Sequence, residues 1–142
     1  MDGMIKTTEY TIEIPGELRG KQRARVTRYG HAYTPQPTLN AEAWVKACAI
    51  DQGVIRPLDG PLCFLLTVQR DVPVSWSKRK RAAALCGDSR PTGKPDLDNV
   101  IKLACDALNG IAWHDDAQIV SMNVSKEYAE CARSIITVRQ LA

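Results

Sequence analysis

The sequence predicts an α+β fold: one compact domain built on a small mixed sheet with about three helices. Three observations carry this. The chain has 142 residues of ordinary globular composition, 44% apolar and 25% charged, which suits a single domain able to bury a core without disulfide staples. Strand-like segments stand near both ends, at Thr8 to Ile14, Gln118 to Tyr128 and Ser134 to Arg139, with an apolar run at Leu62 to Val68. Segments of helical period, with start and stop residues, lie between them. No repeat, low-complexity tract or composition shift divides the chain, so residues 1–142 read as one domain.

Each element has a local reason. Tyr10, Ile12 and Ile14 alternate with Thr11 and Glu13, the pattern of a half-buried strand, and Pro15-Gly16 ends it. The basic stretch from Arg19 to Pro37 reads as a loop or irregular hairpin. Asn40 is placed to cap a helix over Ala41 to Asp51, with Trp44, Val45 and Cys48 inward and Gly53 closing it. Leu62 to Val68 is apolar on both faces, as a central strand would be. Ser75 or Ser77 can cap a short helix from Lys78 to Leu85, ended by Gly87. Its first turn is wholly basic, which is unfavourable at the positive end of a helix dipole and calls for an anionic partner. After a loop from Asp88 to Pro95, a helix from Asp98 to Leu108 carries Val100, Ile101, Leu103, Ala104, Ala107 and Leu108 as its apolar stripe, and Gly110 closes it. The last two strands are expected to form a terminal hairpin.

The five cysteines, Cys48, Cys63, Cys86, Cys105 and Cys131, are odd in number and include no Cys-x-x-Cys pair. They read as reduced and mostly buried, without a disulfide framework or zinc site. No apolar run approaches the roughly 20 residues of a membrane span, and Met1-Asp2-Gly3-Met4 lacks the basic start and apolar segment of a secretion signal. A soluble cytoplasmic protein with no membrane partner is expected.

The net charge of +3 is modest, but its distribution is uneven. Arg19, Lys21, Arg23, Arg25 and Arg28 fall in a stretch between Leu18 and Ala41 that contains no acid, and Lys78, Arg79, Lys80, Arg81, Arg90 and Lys94 form a second basic segment. Downstream, five aspartates and no glutamate fall between Lys94 and Ile119. Carboxylates so concentrated repel one another unless a hard divalent cation such as Mg²⁺ neutralises them. Basic segments upstream of such a cluster point to a polyanion held against a metal site. Tyr29, Tyr33 or Trp76 could stack on exposed bases there.

Pro95 biases Lys94 toward an extended conformation, so Asp96 and Asp98 sit at a loop-to-helix junction where two carboxylates can share a metal. The plainer alternative makes Asp98 an N-cap and Asp96 a turn residue. Lys102 stands at i+4 from Asp98, either as a surface ion pair or in contact with a scissile phosphate. Asp106 reads as solvated. Of Asp115 and Asp116, one is expected to form the turn and the other to reach the metal. His114 is either a base or a solvent-facing neighbour of the acids. No Ser-His-Asp or Cys-His arrangement and no Gly-rich phosphate loop is present, which argues against covalent catalysis and nucleoside-triphosphate binding. The acids follow Ser89-Arg90-Pro91-Thr92-Gly93-Lys94 rather than a buried strand, which argues against an Asp-x-Asp phosphatase.

The run Lys94-Pro95-Asp96-Leu97-Asp98-Asn99-Val100-Ile101-Lys102, then Asp106-Ala107-Leu108-Asn109-Gly110, then Trp113-His114-Asp115-Asp116-Ala117-Gln118-Ile119-Val120, resembles the core of the RusA family of Holliday junction resolvases. Ser75 to Arg81 and Arg23-Ala24-Arg25 with Tyr33-Thr34-Pro35 extend the likeness, the former to phage and prophage members. The resemblance implies a RusA-like homodimer: a Mg²⁺-dependent endonuclease, with Mn²⁺ able to substitute, that nicks opposed strands of four-way DNA junctions. By position it assigns the catalytic and metal-binding carboxylates to Asp96, Asp98 and Asp116, with Asp115 as the alternative ligand, and an essential lysine to Lys102. The DNA face would be Arg19, Lys21, Arg23, Arg25 and Arg28 together with Trp76, Lys78, Arg79, Lys80 and Arg81. A non-catalytic branched-DNA-binding protein is the competing expectation.

The spacing of the acids poses a geometric problem. A helix from Asp98 to Leu108 is roughly 16 Å long, which puts Asp116 beyond its far end. Either the segment Asn109 to Asp115, about 23 Å if extended, doubles back, or a second subunit helps to assemble the site; the twofold substrate favours the second.

Overall fold

The computed structural model describes residues 8–18, 25–33 and 36–141. Its order is β1 (Glu9–Pro15), a short hairpin of β2 (Arg25–Val26) and β3 (Ala32–Tyr33), α1 (Gln36–Asp51), β4 (Leu62–Asp71), α2 (Lys78–Leu85), α3 (Leu97–Leu108), a 3₁₀ turn (Asp116–Gln118), β5 (Ile119–Ala129) and β6 (Arg133–Gln140). The α+β class and the mixed sheet are as the sequence predicts. The main sheet has four strands in the order β1-β6-β4-β5. β6 is antiparallel to both β1 and β4, whereas β4 and β5 run parallel, so α2 and α3 lie in the crossover between parallel strands that such a pair requires.

Alternation decides which face is buried. Tyr10, Ile12 and Ile14 of β1, Leu62, Phe64, Leu66 and Val68 of β4, and Ile136 and Val138 of β6 form one inner face. Val45, Cys48 and Ala49 of α1 and Val100, Leu103, Ala104, Ala107 and Leu108 of α3 cover it in one continuous core. The opposite face, with Cys63, Leu65, Thr67 and Gln69 of β4, is only half-buried. β4 is central as predicted, but helices cover one side of it alone. The open face carries cross-strand polar pairs: Arg139 with Glu9 at 2.8 Å, Arg133 with Glu13, and Gln69 with Glu127 at 2.9 Å.

Three expectations are corrected. α1 begins at Gln36, before the predicted Asn40 cap, because Pro37 in a first helical turn forfeits no intrahelical bond. Asn40 instead accepts from Gln36 Nε2 at 2.8 Å. Trp44 is 48% exposed rather than inward; it lies one residue off the Val45-Cys48-Ala49 stripe, and its indole N–H donates to Pro15 O at 3.1 Å. β5 and β6 do not pair with each other, since β4 lies between them. A strand with four fully buried inner residues needs a partner on each edge, and the short link from Ala129 to Arg133 steps across the end of β4 to supply one.

β5 is consequently an edge strand, with Val120 and Met122 exposed and a register shift where it meets Leu62 and Cys63. All five cysteines are unpaired; Cys48 and Cys105 are buried, while Cys86 and Cys131 are exposed, so burial is less general than the sequence suggested. Among the described residues no helix is long and apolar enough to cross a membrane.

The chain leaves α3 through a tight turn. Ala112 N–H donates to Leu108 O at 3.0 Å and Gly110 N–H to Trp113 O at 2.7 Å, with Gly110 at φ 79°, a conformation open chiefly to glycine. Trp113 is fully buried, edge-on to Phe64 at 6.0 Å, and its Nε1–H donates to Asn109 Oδ1 at 2.6 Å. Replacing Trp113 by Ala is expected to destabilise the protein by about 3–5 kcal/mol, measured by urea denaturation; a loss below about 1 kcal/mol would mean that the indole is not part of the core.

Candidate active site

The acids are distributed along α3. Asp96 occupies its N-cap position but makes no side-chain capping bond, and Asp98 lies exposed in the first turn. Asp98 is therefore not the cap, and Asp96, which has the cap backbone, leaves its carboxylate free of the helix. That carboxylate meets Lys94 Nζ at 3.3 Å. Lys102 is exposed one turn beyond Asp98, and among the described residues no ion pair joins the two. Helical spacing sets Asp98, Lys102, Cys105 and Asn109 along one ridge of α3.

Asp116 stands at the other end of that ridge. Its Oδ2 accepts from Asn109 Nδ2 at 3.5 Å, a weak contact. Asp115 is the turn former of the pair: its Oδ1 accepts from Ala117 N–H at 3.1 Å, and Gln118 Oε1 accepts from the Asp115 N–H at 3.0 Å, completing a capping box on the 3₁₀ turn. His114 Nε2 lies 2.8 Å from Asp59 Oδ1 on the surface, both side chains exposed. Asp106 is half-buried rather than solvated. Asp98 and Cys105, whose thiol feels the charge of Asp116, are about 10 Å apart along the axis.

Among the described residues no three His, Cys, Asp or Glu side chains converge to hold a metal ion. Mg²⁺ takes only one or two protein carboxylates and completes its shell with water and phosphate oxygens. The paired aspartates at the start of α3 fit such an ion, and they do not fit a caged or thiolate-seeking one.

Basic residues flank this end of the molecule. In α2, Ser77 Oγ accepts from Lys80 N–H at 3.2 Å and caps the helix, and Lys78, Arg79 and Lys80 are exposed while Arg81 is half-buried. Trp76 is half-buried, edge-on to Tyr128 at 5.3 Å, with Lys80 Nζ 4.1 Å above its ring. The indole docks α2 onto the end of β5, and one of its faces is already covered. Arg28 is exposed in the turn between β2 and β3, against Tyr29, which is 80% exposed. Arg19, Lys21 and Arg23 lie outside the described residues, as does the side chain of Arg25.

Sequence reasoning missed three contributors. Asn109 links Trp113 to Asp116. Tyr128 anchors Trp76. Lys126, two residues earlier on the same face of β5, donates to Gly93 O at 2.7 Å and Pro95 O at 3.1 Å, immediately before Asp96. The available signal was the series Met122, Val124, Lys126, Tyr128, in which a lysine occupies a position facing the helices.

Two carboxylates, a lysine with no ion-pair partner among the described residues and a docked basic helix lie around α3 and β5. Residues 15–139 match the family described as Endodeoxyribonuclease RusA, and the chain belongs to that family. It is also similar to the uncharacterized protein YqaN of Bacillus subtilis (strain 168), with 41% identity over 142 residues that span 97% of each chain.

One thiol reports on the acidic ridge. Cys105 is buried, and its pKa is pushed up from 9.0 to about 12 by burial first, then by the negative charges of Asp116 and Asp106. The unfolded thiol loses its proton near its ordinary value while the folded one keeps it, so the folded state binds more protons between these limits. The stabilisation is complete below pH 9.0 and is lost as the pH rises toward about 12. At pH 8, iodoacetamide is expected to label Cys86 and Cys131 while Cys105 stays protected until the protein unfolds, as mapped by peptide mass spectrometry.

Proposed function

We propose that this chain is a Mg²⁺-dependent, structure-specific endodeoxyribonuclease that resolves four-way (Holliday) DNA junctions by paired phosphodiester hydrolysis, acting as a homodimer. The observation that carries it is the exposed start of α3, where Asp96 and Asp98 stand two residues apart with Lys102 exposed one turn on, in a chain of the RusA family. Asp96 and Asp98, with Asp116 as third acid, would hold Mg²⁺, which supplies an acidified water and stabilises the charge of the pentacovalent phosphorus. Mn²⁺ fits the same oxygen donors. Lys102 adds a fixed positive charge next to the developing negative one.

Substrate binding falls to the basic segments. Lys78, Arg79 and Lys80, with Arg81 beside them and Arg28 in the hairpin turn, offer cations to backbone phosphates. Arg19, Lys21, Arg23 and Arg25 extend that set by sequence. An anionic backbone along α2 offsets the adverse charge of its first turn. Trp76 serves this face indirectly by docking α2 on Tyr128. A second subunit suits the twofold substrate.

Asp96→Asn and Asp98→Asn are each expected to lower nicking of a labelled synthetic junction in Mg²⁺ by at least about 100-fold, with junction binding in EDTA unchanged. Near-parental nicking by either variant defeats the assignment. Failure of the parent to nick junctions in Mg²⁺, with binding intact, would leave a branched-DNA-binding protein instead. Separately, junction affinity is expected to fall by about 10³ between about 50 and 200 mM salt if some six phosphates are contacted. A flat salt profile in a filter-binding or anisotropy titration rejects the basic segments as the DNA face.

A further inference from the structure

Lys126 faces the helix side of the sheet, in register with Val68, where a half-buried ammonium needs hydrogen-bond acceptors to offset lost hydration. It finds them in the carbonyls of Gly93 at 2.7 Å and Pro95 at 3.1 Å. These two carbonyls bracket Lys94 and end at the residue before Asp96. Asp96 makes no capping bond to its own helix, and the Lys94 that meets its carboxylate is itself 85% exposed. The chain entering the acidic end of α3 is thus held from the sheet, through one side chain.

We propose that Lys126 is a positioning residue for Asp96. Clamping the carbonyls on either side of Lys94 fixes the backbone from which the Asp96 carboxylate is presented. This deepens the function proposed above and rests on it. Lys126 directs two of its donors to the protein backbone, so it acts through the loop and touches neither phosphate nor attacking water. Tyr128, one position along the same face, holds α2 through Trp76. β5 thereby ties the acidic loop and the basic helix to one strand.

The test uses the full-length protein with Lys126→Met, which keeps the aliphatic stem and removes the donors, and Lys126→Arg, which restores them. Mn²⁺ binding is read by electron paramagnetic resonance without DNA, the Mg²⁺ midpoint of cleavage at saturating junction, and junction affinity in EDTA. Lys126→Met is expected to weaken Mn²⁺ binding and raise the Mg²⁺ midpoint by roughly 10-fold, with Lys126→Arg within about threefold of the parent. Junction affinity in EDTA stays at the parental value. Unchanged Mn²⁺ affinity and midpoint in Lys126→Met overturn the proposal. So does a loss of junction affinity in EDTA that matches the loss of cleavage, which would make Lys126 a phosphate contact. If thermal melting shows that Lys126→Met does not fold, Lys126→Gln, with a single amide donor group, is read by the same three measurements and criteria. Asp96→Asn serves as reference. Should it bind Mn²⁺ as the parent does, the metal site of the proposed function falls and Lys126 with it; should it lose Mn²⁺ while Lys126→Met does not, Lys126 alone falls.

Discussion

The indole of Trp113, buried against Phe64 with its only polar hydrogen bonded to Asn109, joins α3 to the strand that follows it. A ring of this size contributes a large share of core burial, but its N–H must find an acceptor when water is excluded. Asn109 supplies that acceptor and uses its amide N–H for Asp116. The side chain that makes the indole tolerable in the core therefore also touches the last acid, weakly, at 3.5 Å. Backbone pairing of Leu58 and Asn109 with Trp113 closes the turn, and β5 can then start alongside β4. Loosening this corner would move the acidic ridge and the strand beneath it together.

Charge is arranged around that corner with little direct neutralisation. The described ion pairs are mostly exposed and join residues outside α3: Arg139 with Glu9, Arg133 with Glu13, Arg70 with Glu17 and His114 with Asp59. Such pairs contribute little to stability. Lys94 is the exception, meeting Asp96 at 3.3 Å. Lys102 carries no carboxylate partner among these pairs, and the basic first turn of α2 opposes its own dipole. An anion bound along that turn would offset its charge.

Much of the fold was legible because burial here is one-sided and local. β1, α2 and α3 match their sequence patterns to within a residue or two, since alternation or helical spacing marks the inner positions directly. α1 was harder, because alanines, Trp44 and Ile50 make it apolar around most of its circumference and leave its phase undefined. Pro37 reads as a breaker in sequence and is harmless in a first turn. The supposed hairpin failed for a different reason: a short link between two strands looks local, whereas insertion of β4 between them is decided by the whole sheet. The site divides in the same way. Asp96, Asp98, Lys102 and Asp116 could be put forward together because they are close in sequence. Lys126 reaches carbonyls 33 and 31 positions away, a relation that only the parallel crossover creates.

The outer border of β5 bears on how copies of the molecule meet one another. A long strand at the margin of a sheet offers a row of unsatisfied amides and carbonyls to any extended peptide, and Val120 and Met122 add apolar surface to that invitation. Two features blunt it. The register shift opposite Leu62 and Cys63 distorts the beginning of the strand, and Lys126 places a cation in its second half; irregularity and a lysine are both devices by which natural sheets discourage runaway strand addition. The ammonium that binds the carbonyls of Gly93 and Pro95 is thus also a charge placed within the margin strand, the kind of residue that discourages strand addition.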